Sequence, residues 1–168
     1  MVQKLPPLRF VRSVLKSFMA ESGLEPRLLG PHLRVTNAVA GKVDFELDIT
    51  KDHTNRLKII HGGTIASMVD LGGSLAVASM GLYATGVSTD LNVTYLSGGG
   101  KVGDKISATA VCDKMGKTLA YTSITFRNAG GELAARGSHT KFVKKSWKAQ
   151  ETPFTLPEGV EMEGKDDV

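Results

Sequence analysis

The stretch IIHGGTIASMVDLGGSLAVASMG, residues 59–81, holds one carboxylate, Asp70, and no Lys, Arg, Glu or second Asp occurs between Lys58 and Asp90. Nothing within the segment neutralises it, so a group from outside the segment must answer this carboxylate. Upstream, His61 is followed by Gly62 and Gly63. A helix start exposes N–H groups with no intrahelical partner and carries roughly half a positive charge. Glycine there lets a substrate carbonyl reach those N–H groups without a side chain intervening, which is what a developing oxyanion needs. The two glycines can equally do no more than make a turn into a helix, and Asp70 can be a carboxylate satisfied by nearby hydroxyls. A phosphate-binding loop is excluded, since no Gly-Lys-Ser or Gly-Lys-Thr follows at the required spacing.

Asp70 comes eight residues after Gly62, about 12 Å along a helix axis. One chain's carboxylate is therefore badly placed to serve its own helix start. Two such helices lying antiparallel about a two-fold axis would each bring Asp70 to the other's first turn, giving two composite sites.

These residues need a frame. Residues 62–80 follow helical spacing, with Ile65, Val69, Gly72, Ala76 and Met80 on one line and Ser67, Asp70 and Ser74 on another. Before them, HLRVTNAVAGKVDFELDIT reads as two strands turning at Ala40–Gly41, and Val43, Phe45, Leu47 and Ile49 alternate with acids as in a sheet with one wet face. After them come strands near 86–96, 104–113, 118–127 and 132–143, joined by SGGGKVG, KMGK and NAGG. Strands linked by short turns, with one apolar helix among them, predict an α+β layer with an antiparallel sheet. Leu8, Val11, Val14, Leu15 and Phe18 line one face of an N-terminal helix, and the same basic, amphipathic segment also fits a transit peptide. The expected organisation is an N-terminal helix over 1–24, a domain over 25–145, and an extension over 146–168 that drapes on the surface or stays disordered.

At 168 residues and net charge +4, the chain has room for one core and lacks the clustered basic and aromatic stripe of a nucleic-acid binder. Its lone cysteine, Cys112, suits a reducing intracellular compartment, cytoplasmic or mitochondrial, and alternates with Ala108 and Ala110 as a structural thiol would. No run reaches the roughly 18 apolar residues of a membrane span. His32, His53 and His139 stand on separate elements without metal-ligand spacing, so no metal is expected and each reads as an ordinary satisfied or surface histidine.

The segments DHTNRLKIIHGGTIASMVDLGGSLA, GVSTDLNVTYLS, KMGKTLAYTS and GSHTK, in that order, resemble the hotdog-fold acyl-coenzyme A thioesterases, in particular the small animal thioesterase-superfamily proteins and their bacterial phenylacetate-pathway relatives. The likeness runs over about residues 8–143. It implies a sheet wrapped around a long central helix and a homodimer that assembles into a homotetramer. It also implies hydrolysis of acyl-CoA in lipid metabolism, with medium- or long-chain fatty acyl groups favoured and no cofactor beyond the coenzyme A of the substrate. By position, the resemblance makes Asp70 the base or nucleophile, Asn55 and Gly62 the donors to the thioester carbonyl, His61 a group that orients the site or donates to the carbonyl region, and Ser88 the hydroxyl that places water. It suggests Gly63, Tyr95, Lys114, Gly116, Lys117 and Lys141 as contacts for substrate or nucleotide phosphates. Two other activities remain compatible with the fold: non-catalytic acyl-CoA binding, and a hydratase or dehydratase that pairs Asp with a catalytic His.

Overall fold

The computed structural model describes residues 5–149. Six strands form one antiparallel sheet in the order β1-β2-β4-β5-β6-β3. They are β1 (Leu33–Val39), β2 (Lys42–Asp48), β3 (Val87–Tyr95), β4 (Lys105–Met115), β5 (Leu119–Arg127) and β6 (Leu133–Phe142). Between β2 and β3 runs α3 (Gly62–Ser79), and the sheet curls around it. The α+β expectation and its strand and helix positions hold to within a few residues at each end.

The period-two reading of β2 is met: Val43, Phe45 and Leu47 are buried. They meet Met68, Val69, Leu71 and Leu75 of α3 together with Ile106, Ile124 and Phe126 from β4 and β5 in one apolar core. Close approach of helix to sheet depends on Gly72, where an added Cβ would lie 2.9 Å from the Phe45 ring. Filling that gap would force the ring or the helix to move, a typical overpacking cost of about 1–3 kcal/mol.

The N-terminal segment is a helix, α1 (Pro7–Glu21), opened by prolines at positions that lack a helical N–H partner anyway. It buries Val11, Val14 and Leu15 in the same core and covers β1. Two short helices escaped the periodicity reading because neither completes enough turns to show one: α2 (Leu24–Leu28) and α4 (Lys144–Ala149). The second corrects the expected start of an irregular tail, since Ser146 is buried and the Trp147 indole lies beside the Gly116 carbonyl. The rest of that expected tail, from residue 150 on, lies outside the described residues.

Candidate active site

Two parts of α3 carry chemistry. At its start, the His61 imidazole accepts a hydrogen bond from Gly63 N–H at 2.7 Å, and the His61 carbonyl accepts from Thr64 and Ile65. Gly62 N–H, one residue into the helix, makes no hydrogen bond with any described residue and is free to donate. Because Nδ1 of His61 is an acceptor, its proton sits on Nε2, on an exposed side chain. Tyr95 closes the other side: its hydroxyl donates to the Gly62 carbonyl at 2.7 Å, and its ring covers the Gly62 α-carbon so closely that a Cβ would lie 3.1 Å from it.

Asn55 is held nearby by a turn of its own. Its side-chain oxygen accepts from the N–H groups of Leu57 and Ile59, at 2.9 and 3.4 Å, leaving the amide NH2 as a donor. His53 anchors this loop from below. Buried, it accepts from Thr50 N–H at Nδ1 and donates from Nε2 to the Leu28 carbonyl at 2.6 Å, while its own carbonyl accepts from His61 N–H. It is the satisfied histidine that the sequence suggested.

Halfway along α3 lies Asp70. The Ser88 hydroxyl donates to its Oδ1 at 2.7 Å, and His139 Nε2 sits 3.1 Å from the same oxygen and 2.8 Å from Ser88 Oγ. Since the single Ser88 proton goes to Asp70, His139 must supply the proton in both of its contacts, so it is the Nε2–H tautomer. Its Nδ1 is buried without a partner. The hydrogen bond from His139, followed by that from Ser88, the charge of His139 and, least, the charge of Lys141, holds the Asp70 carboxyl down at about 2 against the opposing effect of burial. The carboxylate is half-exposed and opens on a cavity of about 250 Å³ lined by Leu24, Glu25, Leu29, Ala66, Ser67 and Leu91.

The strands explain why these groups meet. β3 pairs with β6, setting Ser88 opposite Lys141 and Leu91 opposite His139, and a bulge between Ser88 and Asp90 lets Ser88 and Leu91 both turn toward α3. Gly73 makes room for His139, since a Cβ there would lie 2.3 Å from Nδ1.

The sequence reading therefore finds Asp70 with Ser88, and Asn55 with the Gly62 turn, but it missed His139, whose ring is fully buried on the carboxylate. The usable signal was period two in GSHTK, which puts Gly137, His139 and Lys141 on one face of β6. Lys141 departs from its expected place. It is 3% exposed, its ammonium donates to Ser74 Oγ at 2.9 Å, and it does not reach the surface where nucleotide phosphates could lie. Lys114 and Lys117 are exposed at the β4–β5 turn, which Gly116 closes through its N–H to the Leu119 carbonyl. Among the described residues no cluster of His, Cys, Asp and Glu could hold a metal, and none of their helices is long and apolar enough to cross a membrane.

Residues 57–135 match the Thioesterase superfamily. A Schizosaccharomyces pombe protein is 44% identical over 82% of this chain and 84% of its own length. Human acyl-coenzyme A thioesterase 13 is 40% identical over 78% of this chain and 92% of its own. The chain belongs to the thioesterase superfamily. Its fold agrees: the crystal structure of zebrafish thioesterase superfamily member 2 superposes with a TM-score of 0.73 at 37% identity, covering 83% of this chain and 99% of that one. The antiparallel sheet around α3 is thus the hotdog fold of the superfamily, and the chain is a thioester hydrolase.

Proposed function

We propose that this thioesterase hydrolyses acyl-CoA to free acid and coenzyme A by attack of a water that Asp70 deprotonates. One observation carries the reading: a carboxylate kept ionised by Ser88 and His139, yet half-open to an apolar cavity. A base that touched only protein would have nothing to deprotonate, and a carboxylate free in water would be unoriented. The Ser88 oxygen, already committed as a donor to Asp70, keeps a lone pair toward a water on the same side. The thioester oxygen meets the Gly62 N–H and the Asn55 amide, donors fixed before charge develops. Coenzyme A leaves as a thiolate.

Within one chain Gly62 and Asp70 are separated by about 12 Å of helix, so the donors come from a second subunit. Two features support this arrangement. The α3 face bearing Gly63, Ala66, Ser67 and Asp70 is made of short side chains left partly open, and on β3 next to it Leu91 and Tyr95 are exposed on an unpaired edge. A two-fold pair of chains covers that face with its own copy and completes two sites, and such dimers can pair again into a tetramer. The acyl group lies in the cavity beside Leu24, Leu29, Ala66 and Leu91. Its apolar walls suit an aliphatic chain of medium or greater length, longer ones running on along the partner's surface.

The buried Asp–His pair invites comparison with hydratase chemistry, but His139 is 0% exposed and lies behind the carboxylate, so it touches protein and not substrate. A non-catalytic binder would need no oriented base. The test is release of free thiol from acetyl-, octanoyl-, palmitoyl- and phenylacetyl-CoA: hydrolysis with a preference for octanoyl or palmitoyl supports the reading. Binding of all four without thiol release, or hydration of an enoyl-CoA, overturns it.

A further inference from the structure

Lys141 is a lysine on β6 that its own strand turns inward, and at 3% exposure its ammonium is out of reach of bulk water. A charge so placed is destabilising unless it is compensated. Its hydrogen bond goes to Ser74 Oγ at 2.9 Å, and Ser74 in turn donates to the Asp70 main-chain carbonyl at 3.1 Å, one helical turn earlier. The charged and titratable groups near this point are Asp70 from α3 and His139 two residues back on β6, with Ser88 opposite on β3; Glu25 of α2 lines the cavity on the far, open side of Asp70. Asp70 is the negative partner: burial pushes the Lys141 ammonium below the usual lysine range, and the carboxylate opposes that shift.

We infer that Lys141 is a positioning residue of the Asp70 site, its buried ammonium compensating the carboxylate's charge and, through Ser74, fixing the helix turn on which the carboxylate stands. This deepens the hydrolytic reading and rests on it only for the kinetic part. A base enclosed by a second subunit loses the water that stabilises its charge, and His139 supplies it a hydrogen bond. The Lys141 ammonium adds positive charge from the buried side, which leaves the open face of Asp70 clear for water. The Ser74 link adds geometry: a serine bonding back to the carbonyl four residues earlier bends a helix slightly, and a lysine that grips this serine holds the bend in one place.

The test compares Lys141→Met, Lys141→Arg and Ser74→Ala with the parent in two measurements on the whole protein. One is the titration of the Asp70 carboxyl, followed by carbon-13 NMR with Asp70→Asn as the assignment control; the other is steady-state hydrolysis of octanoyl-CoA. An opposite charge nearby lowers a carboxyl midpoint, so Lys141→Met raises the Asp70 midpoint, while Lys141→Arg leaves it near the parent value. In the same variant kcat falls about tenfold, KM stays within about twofold, and the acid limb of the rate profile moves to higher pH. Ser74→Ala, which keeps the charge and removes the link, lowers kcat without moving the midpoint, and it carries the test if Lys141→Met does not fold. An unmoved midpoint in Lys141→Met, an equal rise in Lys141→Arg, or full kcat in Ser74→Ala overturns the inference. A many-fold rise in KM at unchanged kcat also overturns it, by making Lys141 a ligand of the nucleotide phosphates. The midpoint is read without turnover, so a chain that hydrolyses none of the acyl-CoAs refutes the proposed function and leaves this inference to stand or fall by the titration.

Discussion

The sheet has two edges, β1 and β3, and they are finished differently. On β1 the inward residues Leu33, Val35 and Ala38 are buried beneath α1, and Arg12 of that helix donates to the Val35 carbonyl at 3.1 Å. On β3 none of the described residues covers Leu91, 38% exposed, or Tyr95, 52% exposed, although both face α3. One edge is sealed by α1; among the described residues the other is left open beside Asp70 with Ser88 and, about two helical turns away, the Gly62 turn. On the proposed mechanism the edge beside the chemistry is the one left open, so stability should depend chiefly on the first edge and activity on the second.

Substitutions on the open side should therefore destroy turnover with little effect on folding. Asp70→Ala heads the series, with an expected loss of about 10²–10⁴ in kcat for a general base, read by thiol release beside an unchanged circular dichroism spectrum. Asn55→Ala follows at about 10²–10³, as for loss of one oxyanion donor. Leu91→Glu puts a charge on the open face, so it should lower both the mass seen by light scattering and the activity together, while the thermal midpoint of the single chain changes little.

Gly73→Ala sharpens the comparison because it strikes the site from inside. The new methyl would meet His139 Nδ1 at 2.3 Å, so the ring must leave Asp70 or the helix must shift. We expect a cost of about 1–3 kcal/mol by urea unfolding together with a fall in kcat. On the closed side, Val35→Ala removes two buried methyl groups and should cost about 2 kcal/mol while leaving kcat near the parent value.

Proton linkage gives the mildest effect. Asp70 has a lower carboxyl midpoint folded than unfolded, so its contribution to stability is present above the unfolded value of about 3.9 and fades as pH falls toward about 2. Activity should accordingly show no acid limb between neutrality and about pH 4, whereas His139→Gln, which keeps bulk but loosens the grip on the carboxylate, should bring a limb into that window.

The sequence shows some of this plainly. Asp70 stands out because nothing near it in the chain can answer its charge, and alternation in β2 or three-four spacing in α3 needs no tertiary information to be seen. What answers that charge was hidden for a physical reason. His139 and Lys141 are polar residues in a strand, and period two assigns polar residues to the wet face. Here the face is inverted near β3, because the carboxylate inside selects for donors. Their pairing with Ser88 depends on the β3–β6 register and on a bulge that no local signal marks. The short helices α2 and α4 escaped for want of length, yet α2 supplies a wall of the cavity.

The central claim is that each site draws Asp70 from one chain and Asn55 with Gly62 from another, and complementation tests it most directly. Asp70→Ala and Asn55→Ala chains, each inactive alone, are unfolded together and refolded as an equal mixture. Composite sites restore about a quarter of parental activity, because half of the dimers are mixed and one of their two sites carries both intact groups. A mixture as inactive as its two components, with exchange between chains verified by mass spectrometry, would contradict the account.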